Sequence, residues 1–378
     1  MKHDETFRPL RVGEGRISGY LSIALGVLSL FAVLCFLFPD YMTTPSLRDA
    51  YHAHLDLMRK ALGAGMVFSA GFGLLTFVLN KQKRLGALGI TLTLGAMWLG
   101  GTGVQVGPRY QASGYIGMDW FILDLLASAL VFIFLEKIAP RVREQAILRP
   151  DFWHDARYFL FNHLAIPIFL FVTVTAVPAL FSWGINAGLQ AWFRGLPGVV
   201  QFLVILVSAD LVEYAIHRTM HEVPALWRIH AVHHSVEHMD WLAGSRLHIL
   251  EPLATRAAVM LPAFFLGAES TPLLCYIVWA GFQAGLAHAN FGFEFGPLKY
   301  VLNTPQFHHW HHSSEREAVD TNYAAHLPVI DWLFGTYHMP PDRWPEKYGV
   351  IGDPLPKGMV RQFFYPFRRK KTVTAPAE

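Results

Sequence analysis

Charged residues are scarce in this chain of 378 residues, where they make up 16%, against about 25% in typical soluble domains. Hydrophobic residues account for 53% of the chain, and the mean hydropathy is +0.31. Such a chain has few groups with which to cover a surface that faces water. The composition therefore argues against an ordinary soluble protein and predicts one that folds in lipid.

Cysteine is almost absent, and a strong excess of either charge is missing. Cys35 and Cys275 both lie inside apolar runs, so we expect packing residues rather than a disulfide or a thiolate metal site. The formal net charge is only +3, which makes nucleic acid a remote candidate partner. No redox compartment follows from two cysteines of this kind.

Long apolar runs are what the chain has instead. A bilayer takes about 20 residues of helix to cross, and six runs approach or exceed that length. A further apolar stretch is split by a turn-forming segment at 267–272, which predicts a helical hairpin. The predicted fold is an all-α, polytopic membrane bundle with a histidine-rich helical region on the cytoplasmic side. The runs are at 18–38, 61–80, 85–103, 119–136, 158–182 and 197–216, and the hairpin is at 257–287.

Lysine and arginine predict the orientation of these spans, because short cytoplasmic loops are enriched in both. The loops after the third and fifth runs hold one cation each, Arg109 and Arg194, whereas Arg48, Arg59 and Lys60 in the first outer loop oppose the assignment. The alternation puts every histidine set on the cytoplasmic side, together with the basic run at 368–371 as a headgroup anchor. The supporting cations are Lys2, Arg8, Arg11, Arg16, Lys81, Lys83, Arg84, Lys137, Arg141, Arg143 and Arg149.

The content of the chain divides it into three parts. Residues 1–140 form a four-span region without chemically suggestive polar residues, and small residues such as Gly63, Gly65 and Gly71 suit close helix packing there. Residues 150–340 carry the candidate catalytic domain. Residues 341–378 form a basic C-terminal tail.

Histidine is abundant where charge is scarce, since twelve of the nineteen histidines lie between His217 and His312. A lone histidine is more often a hydrogen-bonded residue than a ligand, but helical positions i, i+3 and i+4 share a face and can aim imidazoles into one cavity. An imidazole set without thiolates suits iron, zinc, copper or nickel, and nine ligands are too many for one ion. We therefore predict two metal ions. The predicted ligands are His217, His221, His230, His233, His234, His288, His308, His311 and His312, with His309 turned away.

Other polar residues are candidates for the surroundings of the metals. Asp210 lies two helical turns before His217, so its carboxylate either accepts a hydrogen bond from a ligand imidazole or is a paired packing residue. His238 either joins the ligand set or is a solvated helix residue. His248 and Asn290 are candidates for a second layer around the ligands or for the mouth of the cavity.

Three other functions use histidines differently. A zinc protease motif with two histidines four apart needs a glutamate directly after the first, and Arg218 stands there. A metal transporter would place ligands in the middle of the membrane and repeat them in two halves. A di-zinc membrane hydrolase would have a similar ligand set, and metal analysis with an oxygen-uptake assay would distinguish it.

The histidine-rich region resembles the fatty acid hydroxylase superfamily, which includes sterol desaturases, sterol C4-methyl oxidases and alkylglycerol monooxygenases. The likeness covers roughly residues 150–340, although Ile249 stands where such proteins commonly have proline. The matching segments are His217-Arg-Thr-Met-His221, Leu226-Trp-Arg-Ile-His230-Ala-Val-His233-His234-Ser235, Glu237, Asp240 to His248, Thr304-Pro-Gln-Phe-His308-His-Trp-His311-His312, and Asn322-Tyr323 through Asp331 to Thr336.

The resemblance implies an integral membrane oxygenase with a non-haem di-iron centre at the cytoplasmic face, in which zinc can substitute for iron in purified protein. Such an enzyme uses O2 to hydroxylate or desaturate a lipid, for example a fatty acyl chain, a sterol or an ether lipid. No dinucleotide fingerprint or haem-binding domain is present in the sequence, so electrons must come from a separate reductase, cytochrome or ferredoxin, or from a pterin. Near the motifs, Trp227, Trp241, Trp310 and Trp332 are expected to wall a lipid slot, to anchor at the interface or simply to pack.

Overall fold

The computed structural model describes residues 16–43, 54–80, 83–107, 118–341, 343–352 and 355–368. Within these ranges the chain is helical and contains no β-strand, which confirms the all-α prediction. Two compact units are present, Met1–Ile147 and Leu148–Glu378. Several cations used to predict orientation lie outside the described residues, namely Lys2, Arg8, Arg11, Arg48, Lys81, Arg109 and the basic residues at 369–371.

The first unit is a bundle in which small residues allow helices to approach closely. Ser22 Oγ donates to Ser69 O and Ser69 Oγ donates to Ser22 O, both at 2.7 Å. A Cβ on Gly89 would lie only 1.9 Å from Ser22 Oγ. Paired hydroxyls and glycines at helix crossings are typical of packing in lipid. The helices are α1 (Arg16–Leu37), α2 (Pro39–Met42), α3 (Leu55–Leu79), α4 (Lys83–Trp98) and α5 (Met118–Ile138).

The second unit carries the histidines on several short and long helices. They are α6 (Phe152–Leu164), α7 (Ile166–Phe171), α8 (Val177–Phe181), α9 (Ala187–Arg194), α10 (Gly198–Glu222), α11 (Pro224–His234), α12 (Leu250–Leu266), α13 (Ser270–His288), α14 (Pro305–His311), α15 (Pro328–Phe334) and α16 (Met359–Phe363). The predicted hairpin is present as α12 and α13. It turns at Gly267, whose φ of +63° is a left-handed conformation that suits glycine.

Four helices of the described residues have the length and apolarity that crossing a membrane requires: Ile17–Leu37, Leu55–Leu79, Lys83–Gly103 and Gly198–Glu222. A fifth span is possible only if Val172–Gly184 and Ala187–Arg194, which meet at 115°, count as one broken span. The run at 119–136 is helical as α5 but is not among the four. The protein is thus an integral membrane protein by its helices and composition.

The fifth predicted span, at 158–182, is not one straight helix. It is divided into α6, α7, a π-helical turn at Val172–Ala176 and α8. The reason is proline in the first turn of both α7 and α8, since a proline nitrogen cannot donate to the carbonyl four residues earlier. The apolar composition of this run predicted its environment but not its shape.

Candidate metal centre

The nine predicted ligands lie together in two groups. Within each group, one ring nitrogen of every residue lies within 4.8 Å of those of the others. We call them the five-histidine group and the four-histidine group. The five-histidine group is His217, His221, His230, His234 and His311, and the four-histidine group is His233, His288, His308 and His312.

The two His-x-x-His-His motifs each contribute to both groups, in opposite ways. In the motif of α11, His230 and His234 join the five-histidine group and His233 joins the other. In the motif of α14 the outer pair joins the four-histidine group, and His311 joins the five-histidine group. Positions i, i+3 and i+4 were expected to aim into one cavity, but the three imidazoles of each motif divide between the two groups. Positions i+3 and i+4 lie about 100° apart around a helix, and this angle separates the two groups.

Ring nitrogens within the groups approach each other closely. Two Nε2 atoms that both carry lone pairs repel at such distances unless a cation lies between them. Metal–nitrogen bonds of about 2.0–2.1 Å place neighbouring ligand nitrogens roughly 3 Å apart. The Nε2–Nε2 distances are 3.0 Å for His217–His230, 3.0 Å for His230–His234, 3.3 Å for His233–His288, 3.0 Å for His288–His308 and 3.1 Å for His308–His312.

Hydrogen bonds at the opposite ring nitrogen define the tautomer of most of these histidines. A carbonyl oxygen only accepts, so an Nδ1 bonded to one must carry the proton, and Nε2 keeps its lone pair for a metal. The Nδ1 donors and their acceptors are His217 to Tyr323 O at 2.7 Å, His233 to Arg246 O at 3.2 Å, His288 to Ala284 O at 2.8 Å, His311 to Thr321 O at 2.8 Å, His230 to Glu251 Oε1 at 2.9 Å and His221 to Asp320 Oδ1 at 3.3 Å.

Buried nitrogens without partners test whether these residues fit a metal. The Nε2 atoms of His221 and His311 are buried and have no hydrogen-bond partner among the described residues. Such orphaned atoms are rare in folded proteins and call for a missing partner. Burial also lowers the pKa of His230, His233 and His234 well below the usual 6.5, so these rings are neutral. A neutral, dry set of nitrogen donors fits a pair of transition-metal ions.

The loop at 243–247 backs the four-histidine group. Its Arg246 carbonyl accepts the Nδ1 proton of His233. At Gly244 the backbone lies against the next ligand, because a Cβ there would be 2.8 Å from His288 Nδ1. Glycine is needed for this close approach. One loop therefore positions two of the four histidines of this group.

Helix α6 in turn holds this loop. Asn162 Nδ2 donates to the two carbonyl oxygens that flank Arg246, at 3.1 and 3.3 Å. Arg246 Nε donates to Asp155 Oδ1 at 2.5 Å. Arg149 binds Asp155 at 2.7 Å and Asp240 at 2.5 Å, with both of its partners buried. The loop is thus fixed by a buried network of charges and an amide.

One of the two interpretations of Asp210 predicted a hydrogen bond to an imidazole of the predicted ligand set. The structure shows other partners. The carboxylate of Asp210 accepts the backbone N–H groups of Ala325, His326 and Leu327 at 2.8, 3.1 and 2.7 Å. Among the described residues, these backbone groups and no imidazole bond to the Asp210 carboxylate. Asp210 shapes the loop that follows Tyr323, so it acts on the site through the backbone.

The remaining candidates lie outside both groups. His238 follows the end of α11, so it does not share a helix face with the ligands. His248 Nε2 donates to Phe363 O at 2.9 Å, and the two rings stack at 5.2 Å. Asn290 is buried two residues after the end of α13. His248 therefore ties the C-terminal segment to the start of α12 and does not line the metal site.

Three residues of the site escaped the sequence analysis. Glu251 accepts from His230, and a carboxylate at the start of an apolar helix was the signal that could have identified it. The ring of Tyr323 lies 5.1 Å from that of His221. Asp320 has a φ of +59°, a left-handed conformation that is strained for a non-glycine residue and often marks a functional loop.

The comparisons with known proteins agree with this geometry. Residues 202–336 match the family model "Fatty acid hydroxylase". Ornithine lipid hydroxylase OlsE of Rhizobium tropici is 29% identical over 254 residues, which are 66% of this chain and 76% of the relative. Alkylglycerol monooxygenase of Homo sapiens is 30% identical over 136 residues, which are 35% of this chain and 29% of the relative. Very-long-chain aldehyde decarbonylase CER1 of Arabidopsis thaliana is 26% identical over 201 residues, which are 47% of this chain and 30% of the relative.

The match to the first of these relatives thus spans about three quarters of its length, and the matches to the other two span less than a third. No solved structure matches the chain. The matched residues include all nine histidines of the two groups. The resemblance stated from the sequence is confirmed over residues 202–336, which match the fatty acid hydroxylase family model as a domain.

Proposed function

We propose that this protein is a membrane-bound, non-haem di-iron oxygenase that hydroxylates the hydrocarbon chain of a membrane lipid. The observation that carries the proposal is the division of nine histidines, all buried or half-buried, into two adjoining groups with facing Nε2 atoms. The five-histidine group would hold one ion and the four-histidine group the other. When bound, the two irons supply the activation of dioxygen that attack on an unactivated carbon requires.

The residues of the chain prepare this site before any reaction. Carbonyl oxygens and two carboxylates hold the imidazoles in the tautomer that presents Nε2. Burial keeps the rings neutral and excludes water, which protects a reactive centre from side reactions. The protein's contribution is therefore orientation, a dry cavity and a fixed separation between the two groups.

The substrate that we favour is an acyl-chain lipid of the kind named for the bacterial relative, an ornithine lipid. The support is coverage, because the match to ornithine lipid hydroxylase OlsE takes in 76% of that protein, whereas the alkylglycerol monooxygenase match takes in 29%. A separate electron donor, either a protein or a pterin, completes the reaction. We place the site on the cytoplasmic side because Lys83, Arg84 and Lys137 follow alternate apolar runs of the sequence, and a reporter fused to the C-terminus would test this side.

Comparative lipid mass spectrometry of cells with and without the gene tests the function. We expect one lipid class to gain 16 mass units in a gene-dependent manner, because one oxygen atom is inserted. A loss of 2 mass units would show desaturation instead. Purified protein should contain two irons per chain and consume O2 with the lipid. Turnover of a lipid without oxygen uptake would overturn the proposal in favour of a hydrolase.

A further inference from the structure

An apolar surface is exposed on α15 and on the neighbouring 3-10 turn at Gly296–Tyr300. Trp332 is 76% exposed and Leu333 is 75% exposed. Large exposed apolar patches mark binding surfaces or contact with a membrane. We call this surface the α15 patch, and it consists of Leu298, Tyr300, Val301, Val329, Trp332 and Leu333.

The outward side of α15 is apolar, and its inward side buries the one charged residue of the helix together with Pro328 and Ile330. Its acidic residue, Asp331, is fully buried and accepts the backbone N–H groups of Tyr323 and Ala324 at 2.7 and 2.8 Å. Trp332 and Leu333, in contrast, point outward. A helix in contact with water buries its apolar side and exposes its charges. The outward side of α15 therefore suits a nonpolar surrounding.

The position of α15 along α10 places it beside a candidate membrane span. The ring of Phe334 stacks on that of Tyr214 with centroids 5.0 Å apart, and Tyr214 Oη lies 3.0 Å from Thr336 Oγ1. Tyr214 is eight residues before the end of α10 at Glu222, or about 12 Å along the helix axis. The α15 patch thus lies beside the span and not beyond its end.

The apolar surface of α10 leads toward this patch. Leu203, Val207 and Leu211 are exposed and spaced four residues apart, so they form one stripe that ends one turn before Tyr214. Lys299 is the only charged residue of the 3-10 turn, and its ammonium lies 5.5 Å from the centre of the Tyr300 ring. A lysine that lays its stem along apolar surface and reaches outward is typical of a membrane boundary.

We propose that the α15 patch is immersed in the acyl region of the bilayer just below its surface, as a collar of non-spanning structure around the end of α10. The partner is the hydrocarbon of the lipid itself. Because Asp331 joins α15 to the backbone at Tyr323, whose carbonyl orients His217, the collar sets the depth of the five-histidine group. An acyl chain then has to move only a short distance out of the membrane to reach the site.

Fluorescence of the full-length protein in phosphatidylcholine vesicles tests the collar. Trp332→Phe is a mild change that removes one tryptophan. The emission of the unchanged protein minus that of this variant is therefore the emission of Trp332. We expect acyl-brominated lipids to quench most of the Trp332 emission. Aqueous iodide should quench the Trp332 emission several-fold less than the Trp153 emission, which is obtained in the same way from Trp153→Phe. Trp153 is a suitable control because it is exposed and lines a cavity with Arg157 and Lys357.

Two results would overturn the collar. Quenching by iodide without quenching by brominated lipid would place Trp332 in water. Protection from both quenchers would mean that a second copy or another segment covers the patch. Neither measurement depends on bound metal or on turnover, so the collar can fail while the proposed oxygenase stands, and the reverse also holds.

Discussion

The two histidine groups differ in how the protein supports them. In the five-histidine group, partners of Nδ1 include two carboxylates, Glu251 and Asp320, as well as backbone carbonyls. In the four-histidine group, His308 and His312 have buried Nδ1 atoms without a partner among the described residues. Imidazole ligands with a fixed outer hydrogen bond bind metal more tightly. The comparison indicates that the five-histidine group is the better organised of the two.

The support also comes from different parts of the chain. Glu251, Asp320 and Tyr323 lie inside the matched family region at 202–336. The loop that positions His233 and His288 depends instead on α6, which precedes that region. The matched family region therefore does not contain all the residues that support its own histidines.

Removal of one ligand from each group has the largest expected effect. His311→Ala and His233→Ala should each abolish lipid hydroxylation, because each opens one group, while the protein still inserts into the membrane. Metal content should fall in both variants, and lipid mass spectrometry should detect no product. His238→Ala is the matched control and should keep its activity. Normal turnover in either variant would remove that histidine from the ligand set.

Glu251→Gln should weaken the five-histidine group alone. The amide cannot replace the carboxylate as a charged acceptor for His230 Nδ1, and loss of such a partner typically costs about 10–100-fold in metal affinity. Competition with a chelator would measure the affinity of each group. Glu222→Gln, an exposed glutamate paired with Arg218, controls for the change of charge. An equal loss from both groups would contradict the assignment of Glu251 to one of them.

Asn162→Ala should weaken the four-histidine group selectively. Two carbonyl oxygens beside Arg246 would lose their donor, and the loop would hold His233 and His288 less firmly. We expect a decrease of about tenfold, the lower end of the range for outer partners, with the spectroscopic signature of the other group unchanged. Asn186→Ala, which removes the exposed cap of α9, is the control. Retention of both metals at full affinity would refute the role of α6.

Asp320→Asn should have the smallest effect. Its oxygen lies 3.3 Å from His221 Nδ1, and its side chain is 56% exposed, so solvent screens the interaction. Chelator competition should show a change in affinity of less than about tenfold, below the range for buried partners. A loss as large as that of Glu251→Gln would mean that the exposed carboxylate supports the group as strongly as the buried one.

The sequence predicts that these histidines come together, but it does not predict how they are divided between the two groups. Helical spacing and apolar runs predicted that these nine histidines come together and that a hairpin carries His288. The sorting of His233 from His234 depends on how α11 faces α14, which is a tertiary property. The partners of Asp210 and the role of Asn162 could not be predicted either, since both contacts join residues more than eighty positions apart. The fifth predicted span is broken because it contains prolines, and a hydropathy value does not take their missing N–H group into account.

The interleaving of the two motifs makes the two histidine groups mechanically dependent on each other. His233 and His234 are adjacent on α11 but belong to different groups, so any rotation of this helix about its axis must displace members of both groups at once. The same is true of His311, the last residue of α14, and His312, which follows it. Redesign of one group by shifting a helix would disturb the other group equally. Retuning a single group requires changes in the residues around one ring and must leave the helices where they are.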